Sequence, residues 1–144
     1  MKDVSSSSVP PPAILIVEDE IFVALDIERV LTDYGYPVGG IAMDREEALA
    51  LANGCTLALV DINLRDGRTG PQIAADLYDK YAIRSVFVTA NPAQIGAPPT
   101  GALGYVCKPF DGQMLRSAIE WALADGHSLP DNDAVVPLSR ATGG

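Results

Sequence analysis

The sequence predicts an α/β protein built on a parallel sheet with helices on both faces. Two observations carry this. Short, nearly continuous apolar runs such as Ala13–Val17 (AILIV) and 57–60 (LALV) read as strands buried on both sides. Between such runs lie segments whose apolar residues recur every three or four positions, the spacing of an amphipathic helix. Strand and helical segments alternate five times along the 144 residues, which calls for a parallel sheet with crossover helices. Right-handed crossovers then leave few topologies, and the natural one is a flavodoxin-like (βα)5 fold with strand order 2-1-3-4-5.

The elements follow in order. Residues 1–12 are rich in Ser and Pro and are expected to form a disordered leader, with the folded domain over 13–125 and a loosely ordered tail over 126–144. The first strand ends in Glu18, Asp19 and Glu20. A helix follows, with Val23, Ala24, Ile27, Val30, Leu31 and Tyr34 as its apolar stripe and Gly35 as its stop. Residues 37–42 form a weak, glycine-containing strand near an edge. Asp44 and Glu47 have capping-box spacing and open a short helix that Asn53-Gly54 ends. The next strand, 57–60, ends in Asp61. Its loop contains Gly67 and Gly70, read as supplying unusual backbone angles, and Pro71 suits the first turn of the helix that carries Ile73, Ala74, Leu77, Tyr78 and Tyr81. The fourth strand, 85–90, carries Thr89 near its end. The segment 91–101 holds Pro92, Pro98 and Pro99 between glycines, so the fourth helix is expected to be short or irregular. A short fifth strand, 104–107, leads to Lys108-Pro109. Asp111 caps the last helix, whose stripe is Leu115, Ala118, Ile119 and Ala122.

Bulk properties exclude several functions. Nineteen acidic residues against ten basic ones give a net charge of −9 and no basic run, which disfavours nucleic acid and anionic membrane surfaces as partners. No stretch is apolar and long enough to span a bilayer, and the N-terminus lacks the apolar core of a signal peptide. Two cysteines make no disulfide framework, so a cytoplasmic setting is expected.

Strand ends concentrate the chemistry. In a parallel sheet all carboxyl ends lie on one edge, so Glu18, Asp19, Asp61, Thr89 and Lys108 can converge there. Three carboxylates against one lysine leave an excess of negative charge that a hard divalent cation would balance, and Mg²⁺ suits such oxygen donors. A carboxylate beside Mg²⁺ can act as a nucleophile on a phosphoryl group. Lys108 would stabilise charge on the transferring oxygens, and the Thr89 hydroxyl could donate to one of them. Taken singly, each residue also has an ordinary reading as a helix cap, a first-turn acid, a β-former or a surface lysine.

The motifs ILIVEDE, LALVDINLRDG, VFVTA and GYVCKPF, in that order and spacing, resemble the receiver domain of two-component response regulators over about residues 13–125. The resemblance implies that Asp61 is the phosphoacceptor, with Lys108 and Thr89 acting on the phosphoryl group. It implies Mg²⁺ held by Glu18, Asp19, Asp61 and the backbone carbonyl of Asn63. Thr89 and Tyr105 match the switch pair, and the Lys108–Pro109 bond is often cis in the family. The implied function is phosphoryl acceptance from a histidine kinase or histidine phosphotransfer protein, with output by protein contact. Residues after 125 are too few for an output module, so a stand-alone receiver is expected, monomeric or weakly dimeric. It would not be an enzyme beyond slow self-dephosphorylation. Alternatives are a pseudo-receiver that binds without phosphorylation and a shuttle or sink in a phosphorelay. An aspartyl-phosphate phosphatase usually has a second acid two residues after the nucleophile, where Asn63 stands here.

Two departures from the family pattern stand out: Arg65 occupies a position that is commonly Pro, and the 91–101 segment is broken. Arg65 and Arg68 are expected to be solvated loop charges. Trp121 lies off the last helix's stripe, either as a partner contact or packed on the tail or sheet flank. Phe22 beside the acidic pair is either a second candidate contact or a partly buried phenylalanine. Cys107 is expected to face the core, and His127 carries no site.

Overall fold

The computed structural model describes residues 12–124, 126 and 133–138. Its strands are β1 (Ala13–Val17), β2 (Val38–Ala42), β3 (Cys55–Val60), β4 (Arg84–Thr89), β5 (Ala102–Cys107) and β6 (Val136–Pro137). Its helices are α1 (Ile21–Asp33), α2 (Arg45–Leu51), α3 (Gly70–Tyr81) and α4 (Gly112–Leu123). The sheet order is β2-β1-β3-β4-β5-β6. The first five strands run parallel in the expected 2-1-3-4-5 order, and β6 joins β5 antiparallel.

Alternation along the strands builds two cores. Ile14, Ile16, Leu57, Leu59, Val86 and Val88 face α1 and α4, while Leu15, Val17, Ala58, Val60 and Phe87 face α2 and α3. Phe87 is fully buried, and a side chain of that size contributes about 1.5–3 kcal/mol through removal from water. Helix starts follow the sequence signals. The Asp44 carboxylate caps α2 by accepting the Glu47 N–H at 2.9 Å, while Glu47 Oε1 reaches back to accept the N–H of Met43, one residue before the cap, at 2.8 Å, a variant of the capping box. Asp111 accepts the Met114 N–H at 2.8 Å and starts α4. The segment after β4 is a single 3-10 turn, Pro92–Ile95, pinned by the buried side chain of Ile95. Prolines and glycines there prevent a regular helix, as the sequence predicts.

Several expectations need correction. Tyr34, the C-cap of α1, and Tyr81, the last residue of α3, are exposed rather than part of the buried stripes. The Arg116 guanidinium lies 4.7 Å from the Tyr34 ring centroid. Trp121 is buried with the α1/α4 core, its ring lying over Gly104 on β5. Cys107 is exposed because β5 ends there and the sheet no longer covers it. Gly67 has φ +112°, as a turn requires, but Gly70 does not need a positive φ. It is required for space, since a Cβ there would lie 2.2 Å from the Asp61 carbonyl oxygen. The described part of the tail is ordered against the sheet, with Ala134 and Val135 buried and β6 paired to β5. Residues 1–11 of the expected leader and His127 lie outside the described residues.

Candidate functional site

The sheet's own ladder aligns the acids. Beyond β1, the Glu18 N–H donates to the Ala42 carbonyl at 2.8 Å, and beyond β3 the Asp61 N–H donates to the Val17 carbonyl at 2.9 Å. Glu18 and Asp61 therefore leave adjacent strands side by side. Glu18 is 1% and Asp61 7% exposed, so both carboxylates are largely withdrawn from water. Asp19, one residue further out, is partly exposed. Glu18, Asp19 and Asp61 each present an oxygen within 4.8 Å of the others.

Lys108 enters from the end of β5. The Thr89 carbonyl accepts its backbone N–H at 2.9 Å, which fixes the start of the side chain. Its Nζ donates to Glu18 Oε1 at 2.9 Å and to Asp61 Oδ2 at 3.0 Å. The remaining carboxylate oxygens are also held. Asp61 Oδ1 accepts the Ile62 N–H at 2.7 Å, and Glu18 Oε2 accepts the Glu20 N–H at 3.0 Å. The Lys108–Pro109 peptide bond is cis.

Electrostatics follow from this burial. Loss of solvation pushes the Glu18 carboxyl up to about 7, against the opposing pull of Lys108 and the Glu20 N–H, with the Asp61 charge adding to the rise. The Lys108 ammonium is raised; burial opposes the rise, and its bonds to Glu18 and Asp61 outweigh that. One cation shared by two buried carboxylates leaves the pocket short of positive charge. Hard oxygen donors in that state suit Mg²⁺ better than a soft metal.

Thr89 ends the neighbouring strand and is 1% exposed. Its hydroxyl oxygen accepts the Asn91 N–H at 3.0 Å, which leaves the hydroxyl proton for another acceptor. Tyr105 lies on β5, paired across the ladder with Phe87 and packed, partly buried, on the α2/α3 side. Asn63 follows Asp61 by two residues, and its side-chain amide donates to Gln94 Oε1 at 2.7 Å. That bond ties the loop after β3 to the 3-10 turn after β4.

Some participants were not legible beforehand. Gln94 carries no motif, and only its position in the loop after β4 brings it to Asn63. Gly70 reads as a turn glycine, although it is the backbone of Asp61 that excludes a side chain there. Arg65 points away from the acids: its guanidinium donates to Asp44 at 2.7 Å and to Glu47 at 3.1 Å. Arg45 crosses in return, its backbone N–H reaching Asp66 at 3.1 Å and its side chain Asp76 at 2.6 Å. Arg68 is exposed. An exposed hollow flanks Lys108, lined by Phe22, Val23, Asp26, Ala90, Pro109 and Phe110, and Phe22 is 84% exposed. Among the described residues, no helix is long and apolar enough to cross a membrane.

Comparison with known proteins agrees with this geometry. The chain is 35% identical over 115 residues to the phyllosphere-induced regulator PhyR of Methylorubrum extorquens, covering 76% of this chain and 43% of that protein. It is 32% identical over 119 residues to the transcriptional regulatory protein PdtaR of Mycobacterium tuberculosis, covering 79% and 58%. The chain thus spans roughly half the length of these relatives. The solution structure of the Erythrobacter litoralis PhyR response regulator REC domain superposes with a TM-score of 0.72 at 27% identity, over 85% of this chain and 97% of that one. The family described as "Response regulator receiver domain" matches residues 14–120, a span that includes every strand-end residue of the acidic pocket. With that match covering most of its length, the chain belongs to the response regulator receiver domain family.

Proposed function

We propose that this receiver accepts a phosphoryl group on Asp61 from a histidine kinase or histidine phosphotransfer protein and signals by protein contact. The observation that carries the proposal is Lys108 bridging Glu18 and Asp61, beside a third, partly exposed carboxylate, Asp19, at the carboxyl edge of the sheet. An Asp61 carboxylate oxygen attacks phosphorus, the P–N bond to the donor imidazole breaks, and its electron pair returns to the ring nitrogen. Asp61 is left as an acyl phosphate. Glu18, Asp19, Asp61 and the Asn63 carbonyl are the residues that would hold Mg²⁺, which when bound supplies charge stabilisation for the phosphoryl oxygens. Lys108 moves from the carboxylates to a phosphoryl oxygen, and the Thr89 hydroxyl donates its free proton to another. Thr89 and Tyr105 then carry the change into β4 and β5.

The exposed Phe22 ring and the hollow beside Lys108 suit an apolar helical surface presenting the donor histidine. Incubation with acetyl phosphate and Mg²⁺ tests the assignment. The expected product is an acid-stable, base-labile adduct that requires Mg²⁺ and is missing from Asp61→Asn. An adduct on Asp61→Asn would place the acceptor on another residue and overturn the assignment, whereas no adduct on the native chain would favour a binding module that works without phosphorylation. Rapid onward transfer to a second histidine protein would instead mark a phosphorelay shuttle.

A further inference from the structure

β5 has two neighbours besides β4. At its carboxyl end sits Lys108, bonded to both buried acids. Along its outer edge lies the segment 134–138, with Tyr105 opposite Val136 and Gly104 opposite Pro137. Only two residues, Val106 and Cys107, separate Tyr105 from Lys108.

The seat on that edge is shaped for a strand. A Cβ on Gly104 would lie 2.6 Å from the Val136 carbonyl oxygen and 3.1 Å from the Trp121 ring, so the absent side chain is what lets the segment approach. Val135 is 2% exposed and sits in the α1/α4 core, and Leu138 packs against the opposite core. The Leu138 N–H donates to the Leu103 carbonyl at 3.0 Å. Antiparallel ladders alternate bonded and non-bonded pairs, so Pro137 falls in a non-bonded pair with its nitrogen turned away from β5. Proline there leaves the new outer edge without a donor and stops further strand addition.

The hold is nevertheless light. β6 is two residues long, and both are exposed. It is anchored by a few bonds and the side chains of Val135 and Leu138, a balance typical of segments that open locally.

We propose that the outer edge of β5 is a strand-docking surface filled by the chain's own residues 134–138, and that this segment leaves when Asp61 is phosphorylated. The partner it fits is an extended segment with an apolar residue in the Val135 position, adding to the sheet edge. This inference rests on the phosphoacceptor reading. Attraction of Lys108 to a phosphoryl group on Asp61 takes it from Glu18 and shifts the end of β5, the strand on which the segment is seated.

The test uses the full chain with Mg²⁺ and beryllofluoride, whose bound ¹⁹F signal reports occupation of Asp61 on its own. With that signal present, exchange of the Leu138 amide should rise about tenfold or more, while the Ile14 amide, bonded to the Pro37 carbonyl in the first strand, stays protected. The emission of Trp121, the single tryptophan, should shift red as the segment leaves its ring. Val135→Ala and Gly104→Ala should each give fast Leu138 exchange without beryllofluoride while still binding it. Unchanged Leu138 protection with bound ¹⁹F signal present overturns this inference alone. No bound signal on the native chain overturns the phosphoacceptor reading and this inference together.

Discussion

Replacing Lys108 by methionine keeps the length of the side chain and removes its charge. In the native arrangement Nζ is shared by two carboxylates whose side chains are 1% and 9% exposed. Without it two buried anions face each other with no cation, and breaking such a pair costs about 3–5 kcal/mol. For a domain of this size that is a fall of roughly 10 °C or more in Tm. The size of the fall should depend on pH. Burial already pushes the Glu18 carboxyl up to about 7, and loss of Lys108 removes the strongest opposing influence. At pH 5.5 the Glu18 carboxyl in the variant is protonated and the repulsion is largely gone. At pH 8 a larger share of it is ionised, so the penalty is greater there than at pH 5.5. Mg²⁺ should stand in for the lost cation, so its addition at pH 8 should raise the Tm of Lys108→Met more than that of the native chain. Thermal unfolding at both pH values, with and without Mg²⁺, measures all of this. An equal loss of Tm at both pH values, unaffected by Mg²⁺, would refute the electrostatic account and leave Lys108 as a packing residue.

Four further outcomes are expected. Gly70→Ala places a Cβ 2.2 Å from the Asp61 carbonyl oxygen and 2.6 Å from the Ile62 Cα, both backbone, so it should destabilise by about 3 kcal/mol and weaken Mg²⁺ binding. The same change at Gly112 meets only a Val30 methyl at 3.5 Å and should leave Tm and Mg²⁺ affinity near native values. In metal-free native protein the Glu18 carboxyl binds its proton more tightly folded than unfolded. Its contribution to stability is therefore fully present below about pH 4.5 and is lost as pH rises through about 7, a slope that should vanish in Glu18→Gln when denaturant midpoints are compared across that range. Arg65→Ala removes exposed ion pairs to Asp44 and Glu47, so it should cost at most about 1 kcal/mol in urea unfolding and leave adduct formation on Asp61 intact.

Much of this molecule is legible in the sequence because its signals are local and agree with one another. Runs such as AILIV and LALV can only be buried on both faces, and the parallel order then brings Glu18, Asp61, Thr89 and Lys108 to one edge. The proline-broken 91–101 segment likewise announces the missing helix, because proline acts through its own ring and its missing N–H. What escaped depends on partners distant in sequence. Trp121 falls outside the stripe of α4 counted on that helix alone, which leaves partner contact and packing on the sheet flank both open; Gly104, which opens a recess for its ring on β5, decides for packing. The β6 strand is too short and too proline-rich to show strand periodicity, and only the free edge of β5 makes it one. Arg65 reads as a loop charge beside Asp61, whereas the capping acids of α2 draw it the other way. Gly70 reads as a turn glycine when its role is to make room for Asp61.

The most direct test of the central claim is to map the modified residue. After reaction with acetyl phosphate and Mg²⁺, borohydride reduction of an acyl phosphate converts the carboxyl carbon to an alcohol that peptide mass spectrometry locates. The account predicts reduction at Asp61 alone, lost when Mg²⁺ is chelated. Reduction at Glu18 or Asp19, or none in a protein whose fold is intact, would contradict it.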